Sequence, residues 1–462
     1  MSKIGASKIR SLAESYKNEC IVTDGSILKC EACDSVLKVD INCAPFRKFL
    51  EEYTKKKIPD ESSLRKSYVN PVYLETIDKI RTIIGDSDIC FIVDETTDAT
   101  QRFVFNVLVM PLNGAFVKPM LIKMYDLEKT NNSTVMQSIN DACMFLWPNG
   151  VKYDKVVLIV SDQAAYMKLA ISNLKALYPK LHHVTCLAHS LHRVCEAVRD
   201  EYDAANNFLS CFRKLLLKAP ARVQLYKEVT ELPLPPDTIV TRWGSWITSA
   251  TFLCENFNKI KTFVQQLPND GKATNDCKRL VDDDVVKDEL FNSATYKFLT
   301  VAIEKLEKSG LKKEEQWQIY DEVKALLYGF AREKLDSSLN NNPDVVKFVK
   351  EKDPEFRLTT MYAPLVSVDV ERSFSQYKML LSDRRRNFTF QNIEMISVVC
   401  VRQKFARVPS LGLGRSAEHG RQAPVLLRLF KMNWLVEIAA RVLMEDSIES
   451  SCVHSVGLRT ET

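Results

Sequence analysis

The hydrophobic pattern between residues 89 and 199 changes period in a fixed order, and few folds satisfy that order. Ile89–Val93, Phe103–Met110 and Val117–Met124 read as three strands, the first two separated by TTDATQ and the last two by PLNGA. Helical spacing follows across Ser133–Leu146, with Met136, Ile139, Ala142, Cys143 and Leu146 on one face. Val156–Val160 is a fourth strand, succeeded by a helix over Ala164–Leu177. Val184–Cys186 reads as a short fifth strand leading into the helix Ala188–Arg199. The order β-β-β-α-β-α-β-α predicts an α/β fold. Hairpins first and βα crossovers afterwards give a mixed sheet with helices on both faces.

The flanks are organised differently. Residues 1–45 form a small cysteine-containing module, in which IVTDGSILKCEACDSVLKVD reads as two short strands flanking Cys30 and Cys33. That C-x2-C pair supplies two of the four ligands a structural Zn²⁺ needs, and the next histidine is His182. Cys20 and Cys43 fit no common spacing, so a degraded finger or a plain turn is preferred to a zinc site. Residues 46–87 repeat apolar residues at helical intervals and read as a helical linker or DNA-binding region. Their KKK run at 55–57 is most simply a solvated helix end. After the α/β stretch at 88–200, residues 201–350 are charged and lack strand alternation, which predicts an all-helical insertion. Residues 359–405 give two amphipathic helices, one through Val368–Leu381 and one over about Asn392–Phe405, where Ile393, Ile396 and Val399 face inward. Residues 406–462 open with the linker VPSLGLGRSAEHGRQ and continue into one more amphipathic helix.

Composition excludes more than it identifies. A length of 462 residues allows two or three domains, and 46% hydrophobic with 27% charged residues is ordinary for a soluble globular protein. The net charge of +5 permits nucleic-acid binding without arguing for it, because local patches decide. The polar start MSKIGASKIRSLAESYKNE lacks the apolar core of a secretory signal, and thirteen irregularly spaced cysteines then read as reduced thiols of an intracellular protein. No apolar run approaches the roughly 20 residues that span a bilayer, so no membrane partner is expected.

Three acids carry the chemical reading. Asp94 in FIVDETTD and Asp162 in VVLIVSDQAAYM each close a hydrophobic strand, and Glu371 in SVDVERSFSQYK opens a late helix. Phosphoryl transfer between nucleic-acid strands uses two divalent cations about 4 Å apart, one at the attacking oxygen and one at the leaving oxygen. Mg²⁺ or Mn²⁺ want carboxylate oxygens, and open α/β sheets expose their crevice at the C-terminal ends of parallel strands. Parallel pairing of the first and fourth strands brings Asp94 and Asp162 out side by side, with Glu371 closing the site from its helix. Each acid alone also has a plain reading: a strand-end Asp is a common turn residue, and Asp162 suits an N-cap. Asp98 is a substitute first-strand carboxylate by position but reads as a turn residue.

This order of acids is what an RNase H-like phosphoryl-transfer core looks like. VDETTDA, SDQAAYM, the C-x2-H of CLAHSLHRV, TRWGSW and VERSFSQYKMLLSDRRRNF also occur in the order seen in hAT-superfamily transposases, which the chain resembles over roughly residues 88–405. DGSILKCEACDSVLKV and SSLRKSYV resemble the CGG triplet repeat-binding protein group. The resemblance implies an RNase H-like domain interrupted by a helical insertion, cut-and-paste DNA transposition, DNA as partner, a homodimer or higher multimer, and the nucleus as location. It implies that Asp94, Asp162 and Glu371 bind Mg²⁺ or Mn²⁺, and that His189, paired with Cys186, donates a hydrogen bond to the scissile phosphate. Trp243 matches the family tryptophan that stacks on a flipped base, with Arg242 beside it for a phosphate; a core Trp and a helix-start His are the plain alternatives. Arg384, Arg385 and Arg386 fit a DNA-backbone contact, a nuclear-import signal or a helix C-cap. Cys186, His189, His192 and Cys195 do not make a zinc site, because ligands at every third helical position cannot converge on one ion. A second class fits the same motifs: a domesticated, catalytically inactive DNA-binding and dimerising regulator of transcription. The intact trio of acids favours the enzyme.

Overall fold

Ile89–Val93 is apolar at every position, and a strand covered on both faces requires that; all five of its side chains are fully buried. In the computed structural model, which describes residues 21–23, 28–30, 51, 57, 59–238, 243–269, 271–341, 344–381 and 389–403, this run is the heart of a central strand. Cys33, Arg242, Arg384, Arg385, Arg386 and residues 406–462 lie outside the described residues. Strands β1 (Ile21–Thr23) and β2 (Leu28–Cys30) form an antiparallel pair. β2 ends at Cys30, and the strand expected after Cys33 lies outside the described residues.

The main sheet contains β3 (Asp88–Thr97), β4 (Phe103–Leu112), β5 (Met120–Leu127), β6 (Val156–Ser161) and β7 (His182–Thr185). Their spatial order is β5-β4-β3-β6-β7. The β3–β4 and β4–β5 pairs are antiparallel, whereas β3–β6 and β6–β7 are parallel. The expected mixed α/β sheet is therefore present, in the expected order of elements. One boundary differs in a way that matters. β3 does not stop at Val93 but runs on to Thr97, paired with β4 as far as Thr97↔Phe103. Backbone pairing to a long partner strand does not require apolar side chains, so polarity at Asp94–Thr97 does not end the strand. Asp94 thus lies inside a strand, at the point where pairing to β6 has stopped but pairing to β4 continues.

Helices cover both faces. Successive strand residues point to opposite sides, and the contacts follow that alternation. Asn106, the β4 partner of Asp94, donates through Nδ2 to Ser373 Oγ at 2.8 Å on the helix Val368–Leu380. Glu95 points the other way and accepts from the Tyr166 hydroxyl on the helix Ala165–Leu174. That second face also carries Asn132–Leu146, capped at its start by Asn131, whose Oδ1 accepts from Thr134 N at 3.0 Å. From Asp203 to Thr359 every described regular element is a helix, beginning with Asp203–Leu216 and ending with Pro354–Thr359.

The chain divides into two compact units, Ile83–Lys378 and the combination of Met1–Thr82 with Met379–Thr462. The first contains the whole five-stranded sheet. In the second, the helix Phe390–Gln403 buries Ile393, Ile396 and Val399. Among the described residues, no helix is long and apolar enough to cross a membrane.

Candidate functional site

The site lies where the parallel pair β3–β6 runs out. Ile89↔Val156 and Ile92↔Val160 fix the register with one irregularity between them, and Asp94 and Asp162 each follow two residues after the last pair. Asp162 follows the last residue of β6, and its Oδ1 accepts from Ala164 N at 3.2 Å, a turn contact immediately before the next helix. Gln163 beside it donates to Ser190 Oγ at 2.6 Å and also bonds Ser338, tying this loop to the helix Gly329–Asn340.

Glu371 arrives from the far end of the sequence. Its helix is held to the sheet by Asn106–Ser373 and, one and a half turns beyond Glu371, by Tyr377. The Tyr377 hydroxyl donates to Asp98 Oδ2 at 2.7 Å, and Arg102 Nε donates to the same oxygen at 2.8 Å. Asp98 Oδ1 takes donations from Thr100 N, Thr100 Oγ1 and Arg102 N. Asp98 is both a turn residue and the anchor of the Glu371 helix, with no oxygen left for a ligand.

His189 comes from the first turn of the helix Leu187–Glu201. Backbone bonds stitch that start into place: Cys186 N donates to Ser161 O at 2.9 Å and Leu187 N to Leu365 O at 2.9 Å. Cys186 is fully buried, and its Sγ accepts from Ser367 N at 3.2 Å. On the ring of His189, Nδ1 lies 3.3 Å from Ser367 Oγ and Nε2 lies 3.8 Å from Glu371 Oε1. The indole of Trp243 meets the imidazole edge-on, ring centroids 4.8 Å apart at 64°.

These elements bring Asp94, His189 and Glu371 together: one ligand atom from each lies within 4.8 Å of the other two. Asp94 is 5% exposed. Its Oδ1 accepts from Glu95 N at 2.8 Å, while Oδ2 has no hydrogen-bond donor among the described residues. A buried carboxylate oxygen without a donor costs about 1–3 kcal/mol or more, so its retention calls for an explanation. Burial pushes the Asp94 carboxyl well above the usual carboxylate range; the charges of Glu371 and Asp162 push it further, and His189 only partly offsets them. Burial also raises the Glu371 carboxyl against the pull of His189 and Lys378. For His189, burial opposes the charged form, but Cys186, Asp94 and Glu371 outweigh it and move its pKa up to about 10. Cys186 responds in kind: burial resists, yet His189 and the two Ser367 donations hold its thiol below the ordinary value. Burial thus works against charge on both carboxyls, and a cation held between them relieves their mutual repulsion.

Placement of the other sequence candidates is uneven. Asp162 adds its charge to Asp94, Glu95 and Glu371 but stands outside the three-residue cluster. His192 turns away from His189: its Nδ1 accepts from Gly244 N at 3.4 Å and its Nε2 faces Glu196 Oε1 at 3.8 Å. Cys195 is buried, and among the described residues His189 groups with Asp94 and Glu371 and not with Cys186, His192 and Cys195 as metal ligands. Cys30 ends β2. Ser367, which contacts both Cys186 and His189, escaped sequence reading; a lone serine between loop and helix carries no spacing signal.

A protein-family model described as a domain of unknown function (DUF659) matches residues 59–221. Such domains are found in hAT-family transposase-like proteins. The match takes in the five-stranded sheet, Asp94, Asp162 and His189, and stops short of Trp243 and Glu371. No curated protein matches the chain.

Proposed function

We propose that this chain is an hAT transposase-like, DNA-processing protein whose Asp94, Asp162 and Glu371 hold Mg²⁺ or Mn²⁺ for cleavage and transfer of DNA strands. The observation that carries the reading is the donorless, buried Oδ2 of Asp94 facing a second carboxylate at the end of a parallel strand pair. When bound, divalent cations stabilise charge on the attacking and leaving oxygens of an in-line phosphoryl displacement.

The protein's own groups supply position. β3 and β6 fix Asp94 and the residue after β6 by backbone register, which varies less than loop placement. The Asp98–Tyr377–Arg102 clamp and the Asn106–Ser373 bond fix the Glu371 helix against β3 and β4. Trp243 presents an aromatic surface beside His189, suited to stacking on an unpaired base at about 1–3 kcal/mol per base. The DUF659 match agrees with a transposase-like protein. DNA as substrate, self-association through the residues at 359–405 and action in the nucleus complete the proposal.

The test uses the purified full chain, Mn²⁺ or Mg²⁺, and duplex DNA taken from the sequence on either side of the coding region, with any terminal inverted repeats found there. Metal-dependent nicking is expected, and Asp94→Asn should lower it by about a thousandfold while far-ultraviolet circular dichroism stays unchanged. Equal cleavage by both proteins removes the site assignment. DNA binding without cleavage by either would instead make the chain a silent DNA-binding regulator.

A further inference from the structure

We infer that His189 is itself a metal ligand, through Nε2, and that the Asp94–His189–Glu371 set selects a first-row transition-metal ion over Mg²⁺. The inference rests on the proposed divalent-cation site and assigns His189 a role other than donor to a phosphate.

Three features of the geometry carry it. First, one imidazole nitrogen and two carboxylate oxygens lie within 4.8 Å of one another. Ligand atoms held about 2.1 Å from one ion sit about 3–4 Å apart, so this spacing needs only side-chain adjustment. The 3.8 Å between His189 Nε2 and Glu371 Oε1 is too long for a hydrogen bond and suits two ligands of a common ion.

Second, the ring is oriented as a metal-binding imidazole is oriented. Ser367 Oγ lies 3.3 Å from Nδ1, which leaves Nε2 as the ring nitrogen on the side of Glu371, where a bound cation would take the place of its proton. Ser367 is itself fixed, since its N–H donates to Cys186 Sγ and its carbonyl accepts from Val370 N at 3.1 Å in the helix that carries Glu371. Trp243 closes on the ring from a further side.

Third, Asp94 Oδ2 is deeply buried and has no hydrogen-bond donor among the described residues, while the Glu371 side chain is 41% exposed. The cluster therefore offers an unsatisfied inner oxygen and an outer carboxylate open to solvent, by which an ion enters. Imidazole nitrogen favours transition-metal ions, whereas Mg²⁺ favours all-oxygen shells that retain water. A mixed nitrogen–oxygen set is consequently a selectivity element.

Mn²⁺ is the probe, because its electron spin reports directly on coordinated nitrogen. The full chain should bind Mn²⁺ at least about tenfold more tightly than Mg²⁺, and the pulsed electron paramagnetic resonance spectrum should show ¹⁴N coupling. His189→Gln should abolish that coupling and weaken Mn²⁺ by about tenfold or more while leaving Mg²⁺ affinity within about twofold. His192→Gln should leave the coupling intact, and matching thermal unfolding of the variants checks the fold. Asp94-dependent Mn²⁺ binding without ¹⁴N coupling overturns the ligand role and leaves the cation site standing. Mn²⁺ binding that Asp94→Asn does not change, or no binding at all, overturns both.

Discussion

Asp94 and Asp98 stand four residues apart, both nearly inaccessible to water and both beside the helix Val368–Leu380, yet their surroundings are opposite. Asp98 is saturated: burial works against its charge, but donations from Arg102, Tyr377 and Thr100 drive its carboxyl far below the usual range. Asp94 has one backbone donor and one empty oxygen, and burial with two acidic neighbours drives it the other way. The difference teaches that depth alone does not mark a functional carboxylate. What sets Asp94 apart from Asp98 is depth with an oxygen that has no donor, because folding leaves that oxygen's solvation unreplaced. One helix serves both ends of the contrast: Tyr377 holds it in place through Asp98, and that grip brings Glu371 to Asp94.

The contrast breaks first if Asp98 proves dispensable. Asp98→Ala removes the carboxylate that both the Tyr377 hydroxyl and the Arg102 guanidinium donate to, and should lower unfolding free energy in urea by about 3 kcal/mol. A loss below about 0.5 kcal/mol would mean that the clamp does not hold the helix. Next in size is the effect of a cation. Mn²⁺ at about a hundred times its dissociation constant should stabilise the wild type by about 2.7 kcal/mol, read as a rise in Tm, and should leave Asp94→Asn unmoved.

The smallest effect is the sharpest test of sign. In chelator, Asp94→Asn should stabilise the protein by about 1 kcal/mol at neutral pH, since it removes a buried charge facing Glu371. The folded carboxyl of Asp94 lies above its unfolded value of about 3.9, so the charged form costs stability above that value. As pH falls below the raised pKa the advantage of Asn should shrink, and it should vanish near the unfolded value of about 3.9. Asp98 gives the reverse course, because its folded pKa is depressed. The penalty of Asp98→Ala should be full at neutral pH and shrink only below about pH 4. Urea titrations of the three proteins from pH 7 to pH 3 separate the two curves. Parallel curves would remove the distinction between the carboxylates.

Much of this fold is legible in the sequence because hydrophobic period maps directly onto strands and helices. Ile89–Val93 and Val156–Val160 announce buried strands by continuous apolar runs, and Asn132–Leu146 shows its buried face at helical spacing. What stays hidden is set by backbone pairing and long-range contact. β3 continues through Glu95–Thr97 because β4 supplies hydrogen bonds there, and no side-chain pattern reports that. Asp94, Asp162 and Glu371 stand out as motif acids, but the approach of His189 to Asp94 and Glu371 is set by the stitching of Cys186 to Ser161 and of Leu187 to Leu365. Asp98 reads correctly as a turn residue; its grip on Tyr377 spans 279 residues and has no local trace. Glu95, which bonds Tyr166 on the opposite face, is equally invisible without the strand alternation.

That 279-residue span also has a consequence for how the molecule is made. At about 5–20 residues per second, synthesis of the intervening chain takes roughly 15–60 s. All five strands of the main sheet leave the ribosome well before the helix that carries Glu371. During that interval Asp94 has no Glu371 opposite it, so the sheet can form with Asp162 as its acidic neighbour and without the added repulsion of Glu371. The Glu371 share of the repulsion is added only when the helix Val368–Leu380 docks, after all five strands have been made.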